Sequence, residues 1–499
     1  MIQEEKIMKN SKKILSGLLA FTMMASLTAC GGGNNNSDSG NAGGADTTAP
    51  ADTTEATTTT TMGVDINTET LKDDEQAVIE AAAEKLPDVE LENKEIKWLS
   101  TWDINPDTSG KSKPLELELF ETKYGGSIKW YPTQWGTRFT DLSNYVLGGE
   151  GIDFFPYDTE VFPNGAVTGM IQPVDDYIDY DSELWSPVKA ANDLMILGGK
   201  HYMLITGVTA DNVCIYNRKT IEDYGLDDPA ELYAEGNWTW DTFKQILTDY
   251  CNPDEDRHGI DGWWAEKAIM LTTGVPCIGL KDGKVTSNVT DPNMERVMNF
   301  MYDLYQNNLI LNKEPFGWSE KPEFMGEGKE MFYPCGLWAL YGAPEIWTTK
   351  FGAVDEVMFV PMPKDPEADK YYLGASMDAF VMCKGSANPE GLARFMDCKR
   401  VANTDEGVLA LGNEKLKNDY GWTDEMVEMQ AECHRVTQEN PVFDVYTGIN
   451  ADLTGVIDSG ENGVRSAMRG IDWATTRETI ADFVQGQVDD FNSKVEALG

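Results

Sequence analysis

The sequence predicts an α/β fold containing a parallel sheet, and three observations carry that prediction. Strand-like and helix-like runs alternate from about residue 95. Apolar residues make up 41% of the chain and include 14 tryptophans, enough to bury a real core. The 499 residues correspond to two or three structural units, at roughly 100–200 residues each. Ile96–Ser100 (IKWLS) reads as a strand and Leu115–Tyr124 as an amphipathic helix. Ser127–Tyr131 (SIKWY) reads as the next strand, Arg138–Leu147 as the next helix, and Gly151–Phe155 (GIDFF) as a third strand. That order implies βαβ units with right-handed crossovers. Further helical runs fall at Trp240–Tyr250, Met294–Asn307 and Pro389–Cys398, and no internal repeat is visible.

The first 94 residues differ in kind. Ile14–Ala29 is apolar but too short and too N-terminal for a spanning helix. Lys9, Lys12 and Lys13 precede it and Leu27-Thr28-Ala29-Cys30 ends it, the layout of an export signal. A cysteine directly after the small residues is the pattern of a bacterial lipobox, which implies acylation of Cys30 and cleavage before it. Residues 1–29 therefore read as a lipoprotein signal peptide, with Glu4 and Glu5 leaving Met8 as an alternative start. Residues 30–70 read as a disordered tether: Gly31–Gly44 is rich in Gly, Asn and Ser, and Thr47–Thr61 holds nine threonines. Residues 71–94 carry a leading helix, with Leu71, Val78, Ile79 and Leu86 at helical spacing and Pro87 as its stop.

Charge and motif content remove several functions. With 84 acidic and 40 basic residues the net charge is −44, which argues against nucleic acid and against direct adhesion to anionic lipid. Apart from Cys30, seven widely spaced cysteines and no C-x-x-C argue against a disulfide framework or zinc ribbon; buried thiols are expected. The three histidines have no metal-ligand spacing, and no G-x-S-x-G elbow occurs. Gly110-Lys111-Ser112 lacks the first glycine of a phosphate loop, and Arg257 stands where a calcium loop at Asn252–Asp256 would need glycine. No catalytic residue, cofactor or metal is expected. A glycosidase carboxylate pair stays open, since only a separation in space tests it.

Seven segments, in order, resemble one family. They are FETKYGGSIKWYPTQW (Phe120–Trp135), LGGEGIDFFPYD (Leu147–Asp158), GMIQPVDDYI (Gly169–Ile178) and VCIYNRKTIEDYGL (Val213–Leu226). NWTWDTF (Asn237–Phe243), FMGEGKEMFYPCGLWAL (Phe324–Leu340), and VPMPKDP with GASMDAFVMCKGSANPEGLARFM complete the series. Together with the lipobox they are similar to the extracellular solute-binding proteins of family 1, the sugar-binding lipoproteins of ABC transporters. Pro334-Cys335, inside the strand before Trp338, departs from the family pattern.

The resemblance implies a two-lobed, periplasmic-binding-protein-like α/β fold with hinge crossings and a ligand cleft between the lobes. Lobe 1 would comprise 95–210 plus about 361–405, and lobe 2 would comprise 211–360 plus about 406–499. The crossings would fall near Val208–Val213 and Pro361–Leu373. It further implies a lipid-anchored monomer on the extracytoplasmic face of the cell membrane, serving ABC permease subunits and touching the membrane only through its anchor. A surface glycoside hydrolase or carbohydrate lyase is the rival from another class, and the same fold with a non-sugar solute is a third reading.

A sugar ring offers apolar C–H faces and a fringe of hydroxyls, so its site needs aromatic platforms with carboxylates, amides or arginine in the ring plane. Candidates for the ligand site are Trp102, Asp103, Trp135, Asp158, Trp264, Trp338, Met377 and Asp378. Trp338 is expected to stack on ligand. Trp102, Trp135 and Trp264 balance between stacking and packing, and the three aspartates between ligand and solvent. Trp98 and Trp130, mid-strand, are expected in the core; Trp238 and Trp240 should pack a helix start capped by Thr239 or Asp241.

Overall fold

The computed structural model describes residues 68–105, 114–157, 161–337, 339–342, 347, 356–406, 417 and 421–498. Cys30, Asp158 and Trp338 lie outside them, as do the signal segment and nearly all of the tether. The leading helix α1 spans Thr68–Ala83 and so ends before Pro87. Then come β1 (Glu95–Ser100), α2 (Leu115–Tyr124), β2 (Ser127–Pro132), α3 (Arg138–Gly148) and β3 (Phe154–Pro156). Gly125 and Gly149, both in the left-handed region, end α2 and α3. The chain continues through α4 (Ser186–Leu194), β4 (Met203–Ala210), β5 (Val213–Asn217), α5 (Trp240–Tyr250), β6 (His258–Ile260), α6 (Ala265–Met270), β7 (Ile278–Lys281), β8 (Lys284–Ser287) and α7 (Pro292–Gln306). Its last third holds β9 (Glu330–Cys335), β10 (Val357–Val360), β11 (Leu373–Met382), α8 (Pro389–Ala402), α9 (Asp424–Glu439), β12 (Pro441–Val442) and α10 (Trp473–Glu496).

Two sheets organise these elements. The first has the order β12-β11-β3-β1-β2, with β4 on the other edge of β11. There β1 runs parallel to β2 and β3, whereas β11 runs antiparallel to β3 and β4. The second has the order β10-β5-β9-β6, with only β6 and β9 parallel. The chain leaves the first sheet after Ala210, enters the second at Val213, and returns between Val360 and Leu373.

Side chains far apart in sequence make each core. Under the first sheet, fully buried Trp98 packs edge-on against Phe154 at 4.3 Å. Phe395 of α8 meets Phe154 at 5.7 Å and Phe120 of α2 at 5.5 Å. A buried cation completes this layer: Lys399 of α8 lies 3.1 Å from Glu116 of α2 and 3.5 Å from Asp378 of β11. In the second lobe Trp238 is buried and donates to the Pro361 carbonyl, and Trp240 stacks on Phe300 at 4.5 Å. Thr239 caps α5 by accepting from Thr242 N. Six of the seven cysteines among the described residues are buried thiols.

Two local expectations are corrected. The third strand is Phe154–Pro156, not Gly151–Phe155, because Gly151 turns at φ 63° and the Lys97 N–H of β1 is taken by the Asp153 side chain and not by a backbone carbonyl. Its carboxylate instead accepts from Lys97 N at 2.7 Å, Ser386 Oγ at 2.7 Å and Asn388 N at 2.6 Å, tying β1 to the start of α8. Trp130 is only half-buried, since β2 is the edge of its sheet, and its indole donates to the Ser100 carbonyl at 3.1 Å.

Candidate functional site

Parallel strands place their carboxyl ends at one edge, and that edge is where open α/β sheets bind ligands. In the first sheet Ser100 pairs with Pro132, and Trp98 pairs with Phe154, so β1, β2 and β3 end at one level. The loops beyond carry Trp102 and Asp103, then Trp135, then Tyr157. Trp102 is half-buried, edge-on to Trp98 at 5.4 Å. Exposed Asp103 uses Oδ1 to accept from the backbone and side-chain nitrogens of Asn105, both at 2.9 Å. Trp135 is 44% exposed, and the Arg138 guanidinium lies 3.8 Å from its ring and 4.1 Å from that of Phe139. This spacing of three residues at the start of α3 holds the indole against the Arg138 guanidinium.

In the second sheet β6 and β9 start in step, with His258 beside Glu330, and β9 continues past the end of β6 to Cys335. Trp264 follows β6 and caps α6, half-buried. Its neighbour Trp263 packs edge-on to Tyr333 at 5.4 Å, and Tyr333 in turn on Trp347 at 5.2 Å. The helix-start position of Trp264 and the aromatic support from Trp263 belong to one short segment, Asp261-Gly262-Trp263-Trp264.

The crossings form a polar hinge that the sequence did not announce. Asp211 N donates to the Gly374 carbonyl at 2.8 Å, joining both crossing segments. Lys267 Nζ of α6 lies 3.5 Å from Asp211 Oδ2, and Asn212 Nδ2 donates to the same oxygen at 3.0 Å. A Cβ on Gly374 would sit 2.7 Å from Leu271 Cδ1, so the two lobes approach through a residue without a side chain. Met377 and Asp378 lie further along β11, opposite Val208 and Gly207, at a register shift. Both are half-buried, and Asp378 Oδ2 accepts from Thr206 Oγ1 at 2.8 Å and Asn403 Nδ2 at 3.0 Å. The Asp378 carboxylate thus braces the first lobe from inside.

Asp444 sits beside this hinge. Its Oδ2 accepts from Cys277 N at 2.8 Å and its Oδ1 from Ile278 N at 3.2 Å. Burial pushes its carboxyl up to about 6, against the opposing pull of Lys267 and of these backbone N–H groups. A raised folded-state value favours the protonated acid. Its contribution to stability is therefore full below the ordinary 3.8 and is lost as pH rises through about 6. Half-buried His434, whose pKa burial lowers to about 4, works in the opposite sense, losing stability as pH falls from 6.5 toward 4. Denaturation at pH 4 and pH 7 should show Asp444→Ser less costly at the higher pH. An equal cost at both would mean that the group titrates normally.

Among the described residues no group of three or more His, Cys, Asp or Glu could hold a metal ion. Also among them, no helix is long and apolar enough to cross a membrane. What the edges of the two sheets offer is aromatic faces with hydrogen-bonding groups beside them, a surface suited to binding a hydroxylated ring.

This architecture is a two-lobed α/β fold. The chain shares its fold with the sugar-binding proteins of ABC transporters, as comparison with solved structures shows. The extracellular solute-binding protein from Staphylococcus aureus in complex with maltose superposes with a TM-score of 0.56 at 11% identity, covering 82% of this chain and 100% of that one. The galacto-N-biose/lacto-N-biose I-binding protein of the ABC transporter from Bifidobacterium longum, in complex with lacto-N-biose, gives 0.55 at 13% identity, with 81% and 99% covered. An ABC substrate-binding protein from Listeria monocytogenes in complex with cycloalternan gives 0.52 at 14% identity, with 81% and 100% covered. No protein-family model and no curated protein sequence matches the chain.

Proposed function

We propose that the protein is a lipid-anchored, non-enzymatic substrate-binding protein of an ABC importer, capturing an oligosaccharide by closure of its two lobes. The observation that carries this reading is the placement of Trp102, Trp135 and Trp264 past the carboxyl ends of strands in two sheets joined by a hinge at Asp211–Asn212. The shared fold supports it, as do the sugars bound by the proteins that share it. In this reading Trp102, Asp103, Trp135 and Asp158 form the first-lobe face of the site. Trp264 and Trp338 form the second-lobe face, with Met377 and Asp378 in the wall nearest the hinge.

Closure follows from linkage: a ligand drives it only through contacts made in the closed form and missing in the open one. Calorimetric screening of oligosaccharides should therefore find a ligand that also lowers the radius of gyration in small-angle scattering. A tight ligand that leaves scattering and tryptophan emission unchanged overturns closure. Turnover of that ligand at catalytic protein levels overturns the receptor reading in favour of a hydrolase or lyase.

The anchor has its own test. Each buried acyl CH₂ contributes about 0.8 kcal/mol, so two or more chains hold a protein stably at a bilayer. Cys30→Ser should release the protein from the membrane fraction. Partition that survives a high-salt wash would refute lipidation at Cys30.

A further inference from the structure

The hairpin of β7 and β8 belongs to neither main sheet, yet Gly283 at its tip is buried. Lys281 pairs with Lys284, so Asp282 and Gly283 make a two-residue turn at φ 52° and 76°, both left-handed. A second turn of the same kind meets it. Leu197 and Lys200 exchange backbone hydrogen bonds at 2.9 and 3.1 Å around Gly198 and Gly199, which lie at φ 56° and 77°. Gly198 N donates to the Gly283 carbonyl at 2.6 Å. A Cβ on Gly283 would stand 2.9 Å from Gly199 N and 3.2 Å from Gly198 N, so the backbones touch only because the tip has no side chain.

The end of α10 fastens this junction. Asn492 accepts from Val285 N at 2.9 Å through Oδ1 and donates to the Val285 carbonyl at 2.8 Å through Nδ2, as an added strand would. Lys284 Nζ lies 2.6 Å from Glu496 Oε1. A Cβ on Gly198 would lie 3.5 Å from Val495 Cγ1 and 3.9 Å from Leu498 Cβ, so the same helix end also reaches the first-lobe turn. At its other end α10 is anchored in the second lobe, where Arg477 lies 2.6 Å from Glu295 of α7.

The position of the junction has a mechanical consequence. Lys200 precedes β4, whose far end leads into the Asp211–Asn212 crossing. The first-lobe turn thus lies a full strand of eight residues from the crossing, about 26 Å. The carboxyl ends of β1, β2 and β3 point the other way, toward the crossings, because β3 runs antiparallel to β11 and β11 starts there. A rotation of about 15° about the crossings moves a point ~26 Å away by roughly 7 Å, more than twice a hydrogen-bond length. The Gly198–Gly283 bond cannot survive that motion while the hairpin and α10 stay with the second lobe.

We propose that these two turns form a clasp between the lobes, fastened by the end of α10, that must part before the cleft closes. It keeps the empty protein open, so that closure marks a bound ligand. The closure it opposes rests on the function proposed above; the contact itself does not.

The test starts with the full chain free of ligand. Gly283→Ala drives a Cβ against Gly199 N, and Asn492→Ala removes the hold of α10 on Val285 while leaving both turns intact. Each should speed exchange of the Gly198 amide proton about fivefold, the net contribution of one hydrogen bond expressed as an equilibrium constant. Each should also lower the radius of gyration in small-angle scattering. Gly198→Cys combined with Gly283→Cys brings two thiols within disulfide reach, since a Cβ on Gly283 lies 3.6 Å from Gly198 Cα. Oxidation should lock that pair at the radius of the unliganded wild type, and reduction should release it. An unchanged radius in both released variants overturns the proposal, and so does failure of the cysteine pair to cross-link. Maltotetraose, cellotetraose and xylotetraose then separate the two readings. A sugar that contracts the wild type and the oxidised pair alike overturns the clasp and leaves the receptor reading standing. Released variants that contract while none of these sugars changes any form preserve the clasp and count against the receptor reading.

Discussion

Lys399→Ala should lower the free energy of unfolding by about 3–5 kcal/mol, the cost of leaving a buried charge without its partner. Lys399 is 5% exposed and Glu116 3%, so neither carboxylate nor ammonium can turn to water when the other is removed. Lys399 stays charged because its attraction to Asp378 and Glu116 outweighs the burial that would otherwise lower its pKa. That raised value means the pairing contributes fully at neutral pH and fades only as alkaline pH passes the folded-state pKa. Urea denaturation should show Glu116→Gln in the Lys399→Ala background recovering part of the loss. A single-mutant cost below about 1 kcal/mol would mean that the pair behaves like a surface salt bridge.

Trp338→Ala should weaken oligosaccharide binding by roughly tenfold to a hundredfold, since a stacked aromatic contributes on the order of 1–3 kcal/mol of contact. The residue follows β9, whose Cys335 end lies beside the β5 start at the hinge. Ligand-free thermal stability should change little, because a platform open to ligand is not part of the core. Unchanged affinity with a large loss of stability would assign Trp338 to packing, alongside Trp238 and Trp347.

Much of the fold was legible because its signals are local. The runs Leu115–Tyr124 and Trp240–Tyr250 located α2 and α5 to the residue. The third strand was displaced by a non-local demand: Asp153 serves Ser386 and Asn388, more than 200 residues away, and no short window contains that requirement. The same reasoning separates the site residues. Trp102 and Trp135 could be placed at strand ends because they follow recognisable strands. Lys267 and Asp444 could not, since one gains meaning from Asp211 across the hinge and the other from backbone groups at Cys277 and Ile278.

The position of β11 also governs the order in which the molecule can be completed. It lies between β3 and β4, so the nascent first lobe has a gap at its middle with two open strand edges. Ribosomes add roughly 5–20 residues per second, which puts Leu373 on the order of ten seconds or more behind Pro156. The strands β5, β9 and β10 of the second sheet all emerge within that interval and can pair without waiting. The β10-β5-β9 ladder can therefore form before the first sheet closes, and a chain cut short before Phe380 would leave the β11-facing edge of β3 open to a neighbour.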